Sequence, residues 1–297
     1  MTPLTRVLCP IDFSEASRGA LAYAVALARR SGARLTVQHV YGIPVVNAAL
    51  LRGTAPPEVE AAVFATMGEG PMFDQLQIWA EAAGASDLPI DRQVVEGDPA
   101  DCIVAAAKQA DLVVVGTHGR TGLARLALGS VAESVLRRAP CSVLTVPRGA
   151  ARVSPPLFPR ILAATDFSPA AERAVRFAVS LATEENARLI LLHVLEVGRP
   201  DWLYGRAATE LLAEATAAAR ERLADAVPKE ARPWCQVDTR LETGNPSERI
   251  VALAREEDAS VIVLGVHRHG VIDRALFGTT PQQVVRAAAT PVLVVRP

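Results

Sequence analysis

Short apolar runs alternate with longer alanine-rich stretches of helical periodicity along this chain of 297 residues. Val7–Ile11 and Ile161–Ala164 are continuously apolar, as expected of strands buried on both faces of a parallel sheet. A helix-start signal follows each: Ser14 in one case, and Ser168-Pro169, a cap plus a proline at the first helical position, in the other. The helices so opened end near Ser31-Gly32 and Glu185-Asn186, and Gly and Asn are the residues best suited to a left-handed position after a helix. Second strands follow at Arg34–Val40 and Arg188–Val194. Further helices are expected near Asp74–Ala83 and Ala207–Ala226, and third strands near Gln93–Glu96 and Gln236–Leu241. Asp98-Pro99 and Asn245-Pro246 open third helices, and fourth strands end at Gly116 and Gly265. Fourth helices run from about Ser130 and Thr280, before last strands at Ser142–Val146 and Val292–Val295. Tyr41–Pro71, with four prolines and a Met67-Gly-Glu-Gly70 break, has no readable pattern.

The elements recur because the sequence does. Arg6-Val-Leu-Cys-Pro-Ile-Asp-Phe-Ser14 aligns with Arg160-Ile-Leu-Ala-Ala-Thr-Asp-Phe-Ser168, and Ala33-Arg-Leu-Thr-Val-Gln-His-Val40 aligns with Ala187-Arg-Leu-Ile-Leu-Leu-His-Val194 at the same offset. Self-similarity at half the chain length is a tandem duplication, not a short-period solenoid. Two homologous domains are expected, 1–148 and 160–297, joined by an extended linker, 149–159, that contains glycine and prolines. The class is α/β: two tandem doubly wound open parallel sheets, each of five strands and about four helices. Ligands of such sheets bind beyond the carboxyl ends of the strands, where strand order reverses. Asp12, Val40 and Gly116 all fall at such ends.

Composition narrows the function. Half the residues are hydrophobic, so a large core is available and disorder is excluded as the main description. Lys and Arg number 31 against 32 Asp and Glu, which removes the electrostatic footprint of a general nucleic-acid binder. No apolar run approaches the ~20 residues that span a bilayer, and no signal-peptide core follows Arg6. A cytoplasmic protein without membrane attachment is expected. Cys9, Cys102, Cys141 and Cys235 form neither a metal pattern nor a disulfide framework. Lys108 and Lys229 are the only lysines, so a Walker-type G-K-[ST] loop is absent.

The segment richest in chemistry runs from Gly116-Thr-His-Gly119-Arg to Gly129-Ser130, after a buried strand and before a helix. Glycines let backbone approach an oxyanion closely, and the N–H groups opening a helix point at it with roughly +0.5 charge. Phosphate can be held there without lysine. The plainer reading is a glycine-rich turn capped by Ser130.

This segment resembles the ATP-binding branch of the universal stress protein family, whose motif G-x2-G-x9-G-[ST] is met by Gly116, Gly119, Gly129 and Ser130. The resemblance extends to Pro10-Ile-Asp-Phe-Ser14, to His39-Val40 and to Ala139-Pro140, and covers nearly the whole chain in two copies. It implies an adenine-nucleotide α-hydrolase-like fold and an ATP-binding regulator of stress responses, the nucleotide accompanied by Mg2+. Pro10, Ile11 and Asp12 would border the nucleoside, with the Asp12 carboxylate accepting from ribose hydroxyls. Val40 would offer main-chain hydrogen bonds to adenine, and Gly116 would border the ribose. Gly119, Gly129, Ser130 and Val131 would donate to phosphates, and His118 and Arg120 could touch the phosphate tail. The resemblance also implies a homodimer, with the two halves of one chain packed as a pseudo-dimer.

The second copy keeps Asp166, Val194, Gly265 and the Gly278-Thr279 step, flanked by Thr165 and Thr280 as further candidates, but Arg268 replaces the glycine at the position of Gly119. Its bulk could fill the phosphate path, or its guanidinium could hold a phosphate. His267 and His269 lack a third ligand other than Asp273, which argues against a transition metal. His39 and His193 are expected to be structural, each with a backbone partner. No nucleophile or general base is evident, so the chain reads as a binding protein rather than an enzyme. The alternatives are a slow ATP-hydrolysing enzyme of the same fold group and a nucleotide-independent interaction module.

Overall fold

The computed structural model describes residues 4–42, 69–117, 128–150, 153–196, 206–227, 235–266 and 279–297. The chain divides into two compact units, Thr2–Gly149 and Ala150–Pro297 with Met1.

In the first unit, β1 (Arg6–Pro10), α1 (Glu15–Ser31) and β2 (Arg34–Tyr41) precede α2 (Glu69–Ala82) and β3 (Ile90–Glu96). Then come α3 (Pro99–Ala106), β4 (Leu112–Gly116), α4 (Ser130–Arg138) and β5 (Ser142–Val146). The strands lie in the order β3-β2-β1-β4-β5, every pair parallel. The second unit repeats this with β6 (Arg160–Ala164), α5 (Pro169–Glu185), β7 (Arg188–Leu195), α6 (Arg206–Asp225) and β8 (Gln236–Thr243). It ends with α7 (Pro246–Glu256), β9 (Val261–Gly265), α8 (Thr279–Ala287) and β10 (Val292–Val295). Its order is β8-β7-β6-β9-β10, again parallel throughout. Each unit is a doubly wound open sheet, and its order reverses between the first and fourth strands.

The cap signals act as their chemistry dictates. Ser14 Oγ accepts from Ser17 N at 3.2 Å, Ser168 Oγ from Ala171 N at 3.2 Å, and Asp98 Oδ1 from Asp101 N at 3.0 Å. Gly32 and Asn186 close α1 and α5 with left-handed φ of 67° and 50°. The apolar runs β1, β4, β6 and β9 are buried because helices cover both faces of the sheet. Cys9 is fully buried, and desolvation pushes its thiol far above the ordinary value, so it is an inert filler.

The structure corrects several boundaries. Strand β3 begins at Ile90, three residues before the expected Gln93, with Ile90 paired to Leu35. Its polar start, Asp91-Arg92, is tolerated because an edge strand has one neighbour and an open side. Strand β8 runs on to Thr243 for the same reason. Helix α2, Glu69–Ala82, already includes Gly70 and Pro71, ahead of the expected Asp74. Helix α8 includes Thr279 as well as the expected Thr280. Among the described residues, no helix is long and apolar enough to cross a membrane.

Candidate functional site

The site is built where β1, β2 and β4 end. Ile11 N continues the β1 ladder by donating to Gln38 O at 2.8 Å, after which the chain turns sharply towards α1. Asp12 Oδ1 accepts from Ser14 N at 3.0 Å, so this carboxylate shapes the turn while Ser14 caps the helix. Between them, Phe13 has a φ of 61°, a strained conformation for a residue with a side chain. The surroundings hold it. The Phe13 ring lies 4.6 Å from His39 and meets Trp79 of α2 edge-on at 5.3 Å, with the Arg18 guanidinium 4.7 Å from the indole. His39 Nδ1–H donates to Ile11 O at 2.8 Å, which fixes the tautomer and ties the exits of β1 and β2 together.

The same ladder orients Val40. Gln38 O receives Ile11 N on the β1 side, whereas Tyr41 O receives Gly97 N at 3.0 Å on the β3 side. Peptide groups alternate along a strand, so the Val40 N–H and C=O are directed to the β1 side, beyond the point where β1 has turned away. A planar ring in that space could pair with both groups.

On the other side of the reversal, Gly116 ends β4. A Cβ there would lie 2.8 Å from Ala16 C and 2.9 Å from Ala16 O, so any larger residue must push back the start of α1. Thr117, buried at 3% exposure, donates its N–H to Val146 O at 3.0 Å, and Gly129 N donates to Thr117 O at 2.8 Å. Both ends of the glycine segment are thereby pinned. Gly129 occupies the cap position of α4 with φ −60° and ψ 142° and, as glycine, gives that helix no side-chain cap; among the described residues none is present. The first N–H groups of α4, those of Ser130 and Val131 among them, therefore face outward with the positive end of the helix dipole. Of the expected binding residues, His118, Gly119 and Arg120 lie outside the described residues. Pro10, Ile11, Asp12, Val40, Gly116, Gly129, Ser130 and Val131 are placed at the carboxyl end of one sheet.

The second unit repeats the turn. Thr165 N donates to Leu192 O at 2.8 Å, Asp166 Oδ1 accepts from Ser168 N at 2.9 Å, and Phe167 has a φ of 61°. His193 Nδ1–H donates to Thr165 O at 2.7 Å, with the two rings 4.4 Å apart. Gly244 N bonds Leu195 O at 3.0 Å, which directs the Val194 peptide groups beyond the end of β6. At Gly265 a Cβ would meet Ala170 O at 2.2 Å. Thr279 and Thr280 open α8, while Arg268 and Gly278 lie outside the described residues. The sequence reading missed the left-handed Phe13 and Phe167 and the partners of their rings. The repeated Asp-Phe-Ser and the repeated histidine were the signal available.

Fold and site together define a tandem pair of doubly wound α/β modules, each with a crevice at its strand-order reversal. The profile of the Universal stress protein family matches residues 3–147 and 157–296, and the chain belongs to that family as a tandem member. A universal stress protein of Mycobacterium tuberculosis is 29% identical over 293 residues, covering 98% of this chain and 96% of the relative. One of Mycolicibacterium smegmatis is 30% identical over 305 residues, covering 98% and 97%. The crystal structure of a universal stress protein from Archaeoglobus fulgidus shares the fold, with a TM-score of 0.66 at 23% identity and 98% of each chain covered.

Proposed function

We propose that the first domain binds ATP, together with Mg2+, and that the protein is a nucleotide-binding regulator rather than an enzyme. The observation that carries this reading is the uncapped start of α4 at Gly129-Ser130, pinned through Thr117 beside the exit of β1. Phosphates would take the first N–H groups of α4 and adenine the outward peptide groups of Val40. Ribose hydroxyls would donate to Asp12, whose Oδ1 alone is engaged by the turn. Mg2+ would be held mostly by phosphates and water. Within the family, G-x2-G-x9-G-[ST] supports the same reading through Gly116, Gly119, Gly129 and Ser130. The second domain keeps Asp166 and Val194, but Arg268 alters its phosphate segment, and we propose that this site is closed to ATP. Nucleotide state can regulate only if ATP has unequal affinity for two states of the protein or its assembly, and we propose a homodimer as that assembly.

The test is calorimetric titration of nucleotide-stripped protein with ATP and Mg2+. One site per chain is expected. Two sites would mean that Arg268 serves as a phosphate ligand. Absence of binding by folded protein would overturn the reading in favour of an interaction module, and steady phosphate release would make the protein an ATPase. Light scattering that gives the mass of one chain at micromolar concentration would remove the dimer.

A further inference from the structure

We propose that the second domain carries, in a groove between α5 and α6, a binding site for a small zwitterion with an indole-sized aromatic ring, the chemical class of free tryptophan. The groove has a volume of about 340 Å3, within the ~300–1,000 Å3 of small-molecule pockets. Phe167 and Val175 form its apolar wall, and Glu172, Arg176, Arg222 and Asp225 stand around it.

The duplication shows what fits there. In the first domain, Trp79 of α2 packs edge-on against Phe13, the residue corresponding to Phe167. The residue corresponding to Trp79 is Arg222, on three grounds. Ala83 N donates to Trp79 O and Ala226 N to Arg222 O, each at 3.0 Å, at matching helix ends. The buried pair Leu76 and Ala80 on α2 has the same spacing as Ala219 and Leu223 on α6. Each side chain, finally, lies against the phenylalanine of the Asp-Phe-Ser turn, with the Arg222 guanidinium 4.1 Å from the Phe167 ring centre. The first domain thus fills the space with its own indole. The second replaces that indole by a thin guanidinium and leaves a groove.

The rim specifies the rest of the guest. Arg18, which covers Trp79 in the first domain, corresponds to Glu172, so the second domain presents a carboxylate where the first presents a cation. Arg176 and Arg222 can take a carboxylate, and Glu172 and Asp225 an ammonium. The one ion pair among these four is loose, Arg176 Nη1 to Glu172 Oε2 at 3.9 Å, and exposed, so a guest can displace it. An aromatic ring held between Val175 and the Arg222 guanidinium, which itself lies on Phe167, with both charges at the rim, engages these groups.

The full chain is titrated with L-tryptophan by calorimetry and ligand-observed NMR, beside indole-3-propionate, which lacks the ammonium, and tryptamine, which lacks the carboxylate. Saturable binding of one tryptophan per chain is expected, with both analogues at least tenfold weaker. Arg222→Trp restores the first domain's arrangement and abolishes binding. Arg176→Gln, on an exposed helix position that does not threaten folding, weakens it at least tenfold. No binding of tryptophan, or binding that survives both substitutions, overturns the proposal. Equal affinity for the analogues overturns the zwitterion, and displacement of tryptophan by ATP would assign the groove to a nucleotide base instead.

Discussion

The two glycines that end β4 and β9 allow a quantitative test of how the crevices are built. Neither has a left-handed φ, so alanine is conformationally admissible at both, and the cost of substitution is contact alone. In Gly265→Ala the new Cβ would lie 2.2 Å from Ala170 O, 2.4 Å from Ala170 C and 2.7 Å from Ala171 N. Carbon contacts are favourable at about 3.5–4.0 Å, so the first turn of α5 must retreat by more than about 1 Å. It cannot do so freely, because Ala170 and Ala171 are 1% and 5% exposed. Overpacking of this kind costs roughly 1–3 kcal/mol and occasionally more. Reduced freedom of the unfolded chain returns about 0.4–1 kcal/mol. A net loss of about 2–3 kcal/mol is expected for Gly265→Ala. At Gly116 the nearest atom is 2.8 Å away, and about 1 kcal/mol is expected from the same terms. At about 2–4 °C per kcal/mol, Tm should fall by about 4–12 °C and about 2–4 °C respectively. Scanning calorimetry of the two variants measures this. A Gly265→Ala Tm unchanged within about 1 °C, or a larger fall in Gly116→Ala, would refute the reasoning. ATP binding separates the domains: Gly116→Ala displaces the start of α1 beside Asp12 and should weaken it, whereas Gly265→Ala should not.

Gly129→Val should weaken ATP binding sharply in calorimetry while Tm stays nearly constant, because φ −60° and ψ 142° suit any residue and the proposed phosphate path passes this position. His39→Leu removes the donor to Ile11 O and should cost about 1–3 kcal/mol in denaturant unfolding, with weaker ATP binding as the exits of β1 and β2 part. Asp111 sets an acid-side prediction. Burial raises its carboxyl, but the Thr5 hydroxyl and the Thr5 and Arg6 amides outweigh this and hold it below the usual value. A lowered folded pKa means that the stabilisation is complete above the unfolded value of about 3.9 and is lost as pH falls through the folded one. Asp111→Asn should therefore lower Tm at pH 7 and flatten its decline in acid, as read by calorimetric scans over pH.

Local chemistry made much of this protein readable from its residues alone. Continuous apolar runs suit strands covered on both faces, and Ser168-Pro169 and Asn245-Pro246 carry the cap and first-turn proline of a helix start. The Gly116 and Gly129-Ser130 pattern, with Asp12 and Val40, marked one end of the sheet because strand–loop–helix order determines which end a loop occupies. The duplication was legible for a simpler reason: residues 6–14 and 160–168 share five of nine residues, Asp-Phe-Ser among them. Edge strand β3 was read short because its polar start carries no burial signal, and α2 late because Gly70 and Pro71 lie within it.

Tertiary structure decided what depends on residues distant in sequence. That Gly116 is required by the backbone of Ala16 rather than by a turn follows from how closely α1 crosses β4. The left-handed Phe13 is sustained by His39 and Trp79, 26 and 66 positions away, and no local propensity encodes it. The direction of the Val40 peptide groups follows from where β1 stops. Trp79 in one half and Arg222 in the other lie against equivalent left-handed phenylalanines, Phe13 and Phe167, a correspondence that only the fold makes visible. Sequence specifies which side chains are available and with what period; packing specifies which of them share a space.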